Sequence, residues 1–299
     1  MLDSRNSPPP SSAQKPTAGL ATGREQGTRE FSFSSADFER VRKLIYQHAG
    51  ISLSPVKQDM VYSRLARRLR ATGKNTFGEY LDMLERGGAD EWERFVNSLT
   101  TNLTSFFREP HHFPIFADHL KKLGSKRPIR IWCSAASTGE EPYSIAMTVL
   151  ETFGANASHV SIFASDLDTN VLATAQKGVY PLERVEKISP ERLKRFFLKG
   201  SGSQEGYVAV RPELKQLIEF RQVNLLEANW PVRGPLDVIF CRNVMIYFDK
   251  PTQHKILSRF APLLQADGLM FAGHSESFLH AADIFKSLGK TVYALTKAA

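Results

Sequence analysis

The chain has little cysteine, no long apolar run and no export signal, and each shortage excludes a class of protein. Two cysteines, Cys133 and Cys241, cannot build a disulfide framework, and they lack metal-ligand spacing. Each lies in or beside an apolar strand-like run, the pattern of a buried thiol in a reducing cytoplasm. No apolar run approaches the ~20 residues that span a bilayer. The N-terminus lacks the charged-then-apolar segment that directs export. A cytoplasmic protein, not integral to the membrane, is expected. What is present is an ordinary globular composition: 299 residues, 42% hydrophobic and 23% charged. The net charge of +8 favours an acidic partner, be it nucleic acid, anionic lipid or an acidic protein surface. Charge alone does not choose among them.

Residues from Met1 to about Glu30 are poor in aromatics and rich in Pro, Ser, Gly and Thr, so a disordered tail is expected there. From Phe31 to Asn102 the apolar period is helical. Phe38, Val41, Leu44 and Ile45 repeat behind Ser35 as N-cap, and Ser54-Pro55 opens a second helix carrying Val61, Leu65 and Leu69. Thr76 with Glu79 and Asp90 with Glu93 fit capping boxes that open two more. A linker helix follows within residues 103–125, from Pro110 to Leu123. Beyond it, strands at Ile129–Cys133, Val160–Ser165, Leu236–Cys241, Leu269–Ala272 and Val292–Thr296 alternate with helices, one of them from about Pro251 to Leu264. That alternation predicts an α/β fold over residues 126–299, with a mostly parallel sheet covered on both faces. Gly206–Val210 and Leu217–Val223 read as paired strands of an antiparallel insertion at about 199–223.

Ligands of open α/β sheets bind beyond the carboxyl ends of the strands. The loop after the first strand, Ser134 to Pro142, has small residues, but it is neither G-x-G-x-x-G nor a phosphate-binding P-loop. Its Glu140-Glu141 flank repels phosphate and suits a cation or an ammonium group. Asp166 at the tip of the second strand is placed to accept from both ribose hydroxyls. Asn224 follows Phe220–Val223, where an amide can read an adenine edge, and Cys241-Arg242-Asn243 follows the buried strand. Together these point to an adenosine cofactor without phosphates, S-adenosyl-L-methionine.

The segments Thr100–Glu109, Ala136–Ser144, Ala164–Thr169 and Phe240–Asp249 resemble the CheR family, the chemotaxis receptor glutamate O-methyltransferases. The likeness runs from about Phe33 to the C-terminus. It implies a class I S-adenosylmethionine-dependent methyltransferase (Rossmann-like) fold with a small all-helical N-terminal domain and an inserted antiparallel β-subdomain. It implies cofactor contacts from Asn102, Thr104, Arg108, Glu141, Asp166, Asn224, Leu225, Arg242 and Asn243, with Glu140 the alternative to Glu141. Arg108 and Tyr247 match the positions nearest the transferred methyl. The partner implied is the cytoplasmic domain of methyl-accepting receptors in membrane arrays, and in some members also a C-terminal receptor tether peptide held by the β-subdomain. Arg64, Arg67 and Arg68 fall within roughly a 100° arc of the second helix, and the family approaches its substrate with this helix.

Three other readings compete. A metal site is not expected, since neighbouring His111 and His112 should not face one side of a helix. Nucleic-acid methylation is disfavoured because Asn243 is followed by Val244-Met245-Ile246 rather than Pro-Pro-aromatic, and Cys241 lacks a preceding proline. A receptor-docking module without turnover is disfavoured by the intact Arg108, Asp166, Asn243 and Tyr247.

Overall fold

The structure is a computed structural model that describes residues 29–296; residues 1–28 of the expected tail lie outside it. Of the expected tail, Arg29 pairs with Asp59 and Glu30 with Arg70.

The N-terminal unit packs α1 (Ser35–Ala49), α2 (Gln58–Thr72), α3 (Phe77–Arg86) and α4 (Ala89–Leu99) around one core. The expected apolar stripes make that core: Phe38, Val41, Val61, Leu65, Leu69, Tyr80, Leu81 and Phe95 are all buried. The caps differ from expectation in detail. Ser34, not Ser35, caps α1, in a reciprocal box with Asp37. Pro55 opens a single 3-10 turn ahead of α2, and Ser54 makes no side-chain cap there. Thr76 caps α3 by accepting from the Glu79 N–H, but the Glu79 carboxylate reaches back to Asn75 N instead of closing the box. Gly88 stands at the start of α4 with no side-chain cap. Glu93 is drawn away from the expected box by Thr169, whose hydroxyl it accepts.

After α5 (His112–Leu123), β1 (Ile129–Cys133), α6 (Glu140–Phe153), β2 (Val160–Asp166) and α7 (Thr169–Lys177) follow. Next come β3 (Val179–Pro181), α8 (Pro190–Phe196), β4 (Phe197–Lys199), β5 (Tyr207–Val210), α9 (Pro212–Lys215) and β6 (Ile218–Gln222). The chain ends with β7 (Leu236–Cys241), α10 (Lys250–Phe260), β8 (Leu264–Ala272), β9 (Phe285–Gly289) and β10 (Val292–Leu295). Among the described residues the main sheet has seven strands in the order β6-β2-β1-β7-β8-β10-β9. β6, β2, β1, β7 and β8 run parallel, and β10 is antiparallel to both its neighbours. Both faces are covered. Ile129, Ile131 and Cys133 of β1 face a core with α5 and α6, while Trp132 between them packs with Phe260 on the opposite side.

Two expectations are corrected here. Leu217–Val223 does not pair with Gly206–Val210: β6 lies parallel on β2, with Ala164 opposite Phe220, at the edge of the main sheet. The small antiparallel sheet is β3-β5-β4, so the insertion draws on residues from 179 to 210. The physical cause is α9, which turns the chain through one short helical segment and returns it to the open edge of β2. The strand expected from Leu269 also begins earlier, at Leu264, and takes the last residue assigned to the preceding helix.

Candidate functional site

The strand order reverses direction around β1, which has β2 on one side and β7 on the other. Beyond the carboxyl ends of these strands lies a cavity of about 470 Å³, a size ordinary for a small-molecule site. Asn102, Thr104, Arg108, Glu141, Asp166, Asn224, Leu225, Arg242, Asn243 and Tyr247 all line it. The helical unit supplies the remaining wall through Ile51, Leu53 and Met60. Sequence reasoning did not foresee that wall, since an apolar residue there reads as core.

The loop after β1 aims its backbone at Asp166. Ser137 N donates to one Asp166 oxygen at 2.8 Å and Asp168 N to the other at 3.0 Å. Ser137 reaches this position at φ 47, a left-handed conformation, which costs of order 1–3 kcal/mol off glycine. Gly139 has φ 100, and a Cβ there would stand 2.7 Å from the Tyr180 hydroxyl and 2.9 Å from Ala175 Cβ. Glycine is therefore required where α6 starts. Asp168, not Asp166, caps α7. Asp166 is thereby released to face the cavity, and its burial raises its pKa to about 6. Glu140 turns away from the cavity to Arg184 at 3.1 Å and Thr138. Of the adjacent pair, only Glu141 lines the site.

Behind the cavity sits a buried charge cluster. Arg242 Nη1 pairs with Glu141 at 2.7 Å, and Nη2 lies 3.3 Å from Glu109 Oε2 while donating to the Arg108 carbonyl. Glu109 Oε1 accepts from both the backbone N–H and the ring of His274, each at 3.0 Å. Burial opposes ionisation of Glu109, but the His274 bonds and Arg242 outweigh it and hold the pKa at about 2. Burial raises that of Glu141, against Arg242. Glu276 accepts from Gly273, Asn243 and Met245 backbone N–H groups and so fixes the turn after β7, in which Asn243 has φ 57. Glu109, His274 and Glu276 were not foreseen. Glu109 stood beside Arg108 in sequence, but nothing local distinguishes a carboxylate that tertiary contacts will bury.

Arg108 sits between two non-glycine residues at positive φ, Phe107 at 51 and Glu109 at 54, and its Nη1 donates to Leu103 O at 2.8 Å. This strained turn presents the guanidinium to the cavity. Tyr247 donates its hydroxyl to Thr101 O at 3.0 Å, and burial raises its pKa. That hydroxyl proton is already committed; its oxygen can still accept. The Asn224 amide is likewise engaged, donating to His48 O and accepting from Leu226 N. Asn102 donates to Asp168 at 2.9 Å.

The arginine arc is corrected. Arg64 turns inward, donating to Thr100 O and Ser98 O. Arg68 makes two bonds to Glu91 at 2.9 and 2.7 Å, with the Tyr80 hydroxyl on the same carboxylate. Of the three, only Arg67 is exposed. An arc read from helix geometry cannot show which arginines a neighbouring helix has already claimed. The expectation for His111 and His112 is corrected too. Their rings stand 4.3 Å apart and, with Glu109, bring three ligand-type atoms within 4.8 Å of one another. His111 stands at the N-cap of α5, where its side chain reaches back beside the ring of His112.

A parallel sheet reversing at β1, with a cavity beyond its strand tips lined by Glu141 and Asp166, is the architecture of a class I S-adenosylmethionine-dependent methyltransferase. The chain matches the family models "CheR methyltransferase, SAM binding domain" over residues 102–294 and "CheR methyltransferase, all-alpha domain" over 36–100. It is 52% identical over 286 residues to the chemotaxis protein methyltransferase of Salmonella typhimurium, covering 94% of this chain and 99% of that one. It is 54% identical over 269 residues to chemotaxis protein methyltransferase 2 of Pseudomonas aeruginosa, covering 90% and 96%. The Escherichia coli chemotaxis protein methyltransferase is 53% identical over 273 residues, covering 91% and 95%. The chain belongs to the CheR family, and S-adenosylmethionine is its cofactor. Among the described residues, no helix is long and apolar enough to cross a membrane.

The reading of Asp166 as the ribose acceptor carries a pH test, because a proton would compete with the ribose for the same oxygens. With its pKa at about 6, affinity for S-adenosylhomocysteine should be constant above pH 7 and fall as pH drops through 6, by up to about tenfold per unit. Calorimetry across pH 5–8 measures this. Asp166→Asn should bind weakly at every pH with the slope gone; an unchanged slope in that variant would exclude Asp166 as its source.

Proposed function

We propose that this protein methylates glutamate side chains of chemotaxis receptors, giving γ-methyl esters and S-adenosylhomocysteine in sensory adaptation. The names of the relatives support the pathway. One observation carries the choice of acceptor: the cavity has an anionic wall at Glu141 and Asp166 and the cations Arg108 and Lys57, with Arg242 paired to Glu141, while its lining includes no histidine. Such a site suits an acceptor that needs no general base. A glutamate, with a reference pKa near 4.3, is already ionised at neutral pH.

The bound cofactor supplies a methyl group on a cationic sulfur. Glu141 and Asp166 hold its ammonium and ribose ends, and Val223 and Leu225 offer the adenine an apolar wall. Backbone N–H groups of Asn224 and Leu225 would donate to the adenine edge, because the Asn224 amide and both backbone carbonyls are committed to protein partners. Arg108 draws in and aligns the acceptor carboxylate; alignment rather than tight pairing is what lowers the barrier. The Tyr247 oxygen, its own proton held by Thr101, stands as an acceptor near the donor's positive charge. Cys241 is fully buried with its thiol pKa well raised, which argues against a cysteine nucleophile. Arg67 faces the acidic receptor helix, and the enzyme works in the cytoplasm at receptor arrays.

Methyl-labelled cofactor and receptor membranes test the reading: alkali should release labelled methanol, as carboxyl esters do. Alkali-stable label would refute a glutamyl ester. The small sheet offers a tether peptide two open edges, β3 and β4, the latter carrying Leu198 at 44% exposure. Strand addition there predicts that a C-terminal receptor peptide binds the wild type and that Lys199→Pro, which removes an N–H on the open side of β4, abolishes the binding. Equal affinity in that variant would rule out β4.

A further inference from the structure

We propose that Glu109, His111 and His112 form a site for a zinc-like transition-metal cation, placed behind the methyl-transfer cavity. His112 carries the argument. It is fully buried, and its Nε2 lies 2.9 Å from the Lys290 carbonyl, which can only accept. Nε2 therefore bears the hydrogen, and in a neutral ring Nδ1 bears a lone pair. That lone pair has no hydrogen-bond partner. It faces Glu109 Oε2 at 3.7 Å, an oxygen without a hydrogen bond that Arg242 Nη2 approaches only to 3.3 Å. The two lone pairs repel each other, and a cation between them relieves both.

His111 completes the set from the solvent-accessible side, its ring 4.3 Å from that of His112. Two imidazoles and a carboxylate are zinc-type ligands, and zinc keeps a fourth position for water in such sites. A ligating histidine that donates its other N–H to a backbone carbonyl is the usual supporting arrangement. Zinc–ligand distances of about 2.0–2.2 Å require the three side chains to close in by on the order of 1 Å. Arg242, 3.3 Å from Glu109, opposes the cation, but Glu141 at 2.7 Å already neutralises its other side. Metal on Oε2 loosens Arg242 from Glu109. Because Arg242 also donates to the Arg108 carbonyl, a loaded site displaces Arg108 and slows methyl transfer.

The untagged full chain, without cofactor or receptor, is titrated with Zn²⁺ by calorimetry and with Co²⁺ by visible absorption. One cation per chain is expected, with a Co²⁺ band that Zn²⁺ bleaches. His111→Ala, which leaves the buried core intact, should weaken binding at least about tenfold with unchanged thermal unfolding. His112→Gln should abolish it. No stoichiometric uptake, or His111→Ala binding as tightly as the wild type, would overturn the site. Neither result bears on the methyltransferase reading, whose substrates are absent from the titration.

Discussion

Arg242→Ala is expected to lose about 3–5 kcal/mol of unfolding free energy at pH 8, the usual cost of removing one partner of a buried ion pair. Glu141 and Glu109 have side chains 8% exposed, and both rely on this guanidinium. Without it, Glu141 is a buried anion facing another. Its pKa, already raised by burial, rises further. A carboxyl whose folded pKa lies above its unfolded value destabilises the fold when ionised, and the penalty fades as pH falls through that folded pKa. The deficit should therefore shrink at pH 5. Urea unfolding at the two pH values measures both effects. Coincident curves at pH 8 would show that the cluster contributes nothing. Lysine at 242 restores charge but not the fork that serves Glu141 and the Arg108 carbonyl together.

Arg108→Ala should reduce methyl transfer by about 10²–10³-fold, because it removes both a charge-assisted contact and the alignment of the acceptor. Folding should be intact, since the side chain's recorded bond is one to Leu103 O. Affinity for S-adenosylhomocysteine, which we propose rests on Asp166 and Glu141, should change far less. The residual rate should also lose part of its dependence on ionic strength. A variant retaining more than about a tenth of wild-type turnover would remove Arg108 from the transfer step. These outcomes separate Arg108 from Arg242, whose loss damages the scaffold as well.

The helical unit was legible because its stripes at Phe38–Ile45 and Val61–Leu69 follow one period. β1, β2 and β7 were legible because runs such as Leu236–Cys241 are apolar on both faces. The partner of a strand was not: β6 reads like half of a hairpin, and only the fold reveals that β2 offers it a parallel edge. β3 and β4 are three residues each, too short to show a period. At the site, ten residues foreseen on strand tips and connecting segments converge on one cavity. Glu109, Glu276 and His274 escaped because their work is done across long sequence separations, as Glu109 with Arg242 shows. The partners of Arg64 and Arg68 escaped for the same reason, each lying 23 or more positions away.

The wall that Ile51, Leu53 and Met60 lend to the cavity binds the history of the two halves together. Neither piece carries a whole pocket, so gene fusion or recombination that exchanged the N-terminal bundle for an unrelated module would leave the donor bare on one flank.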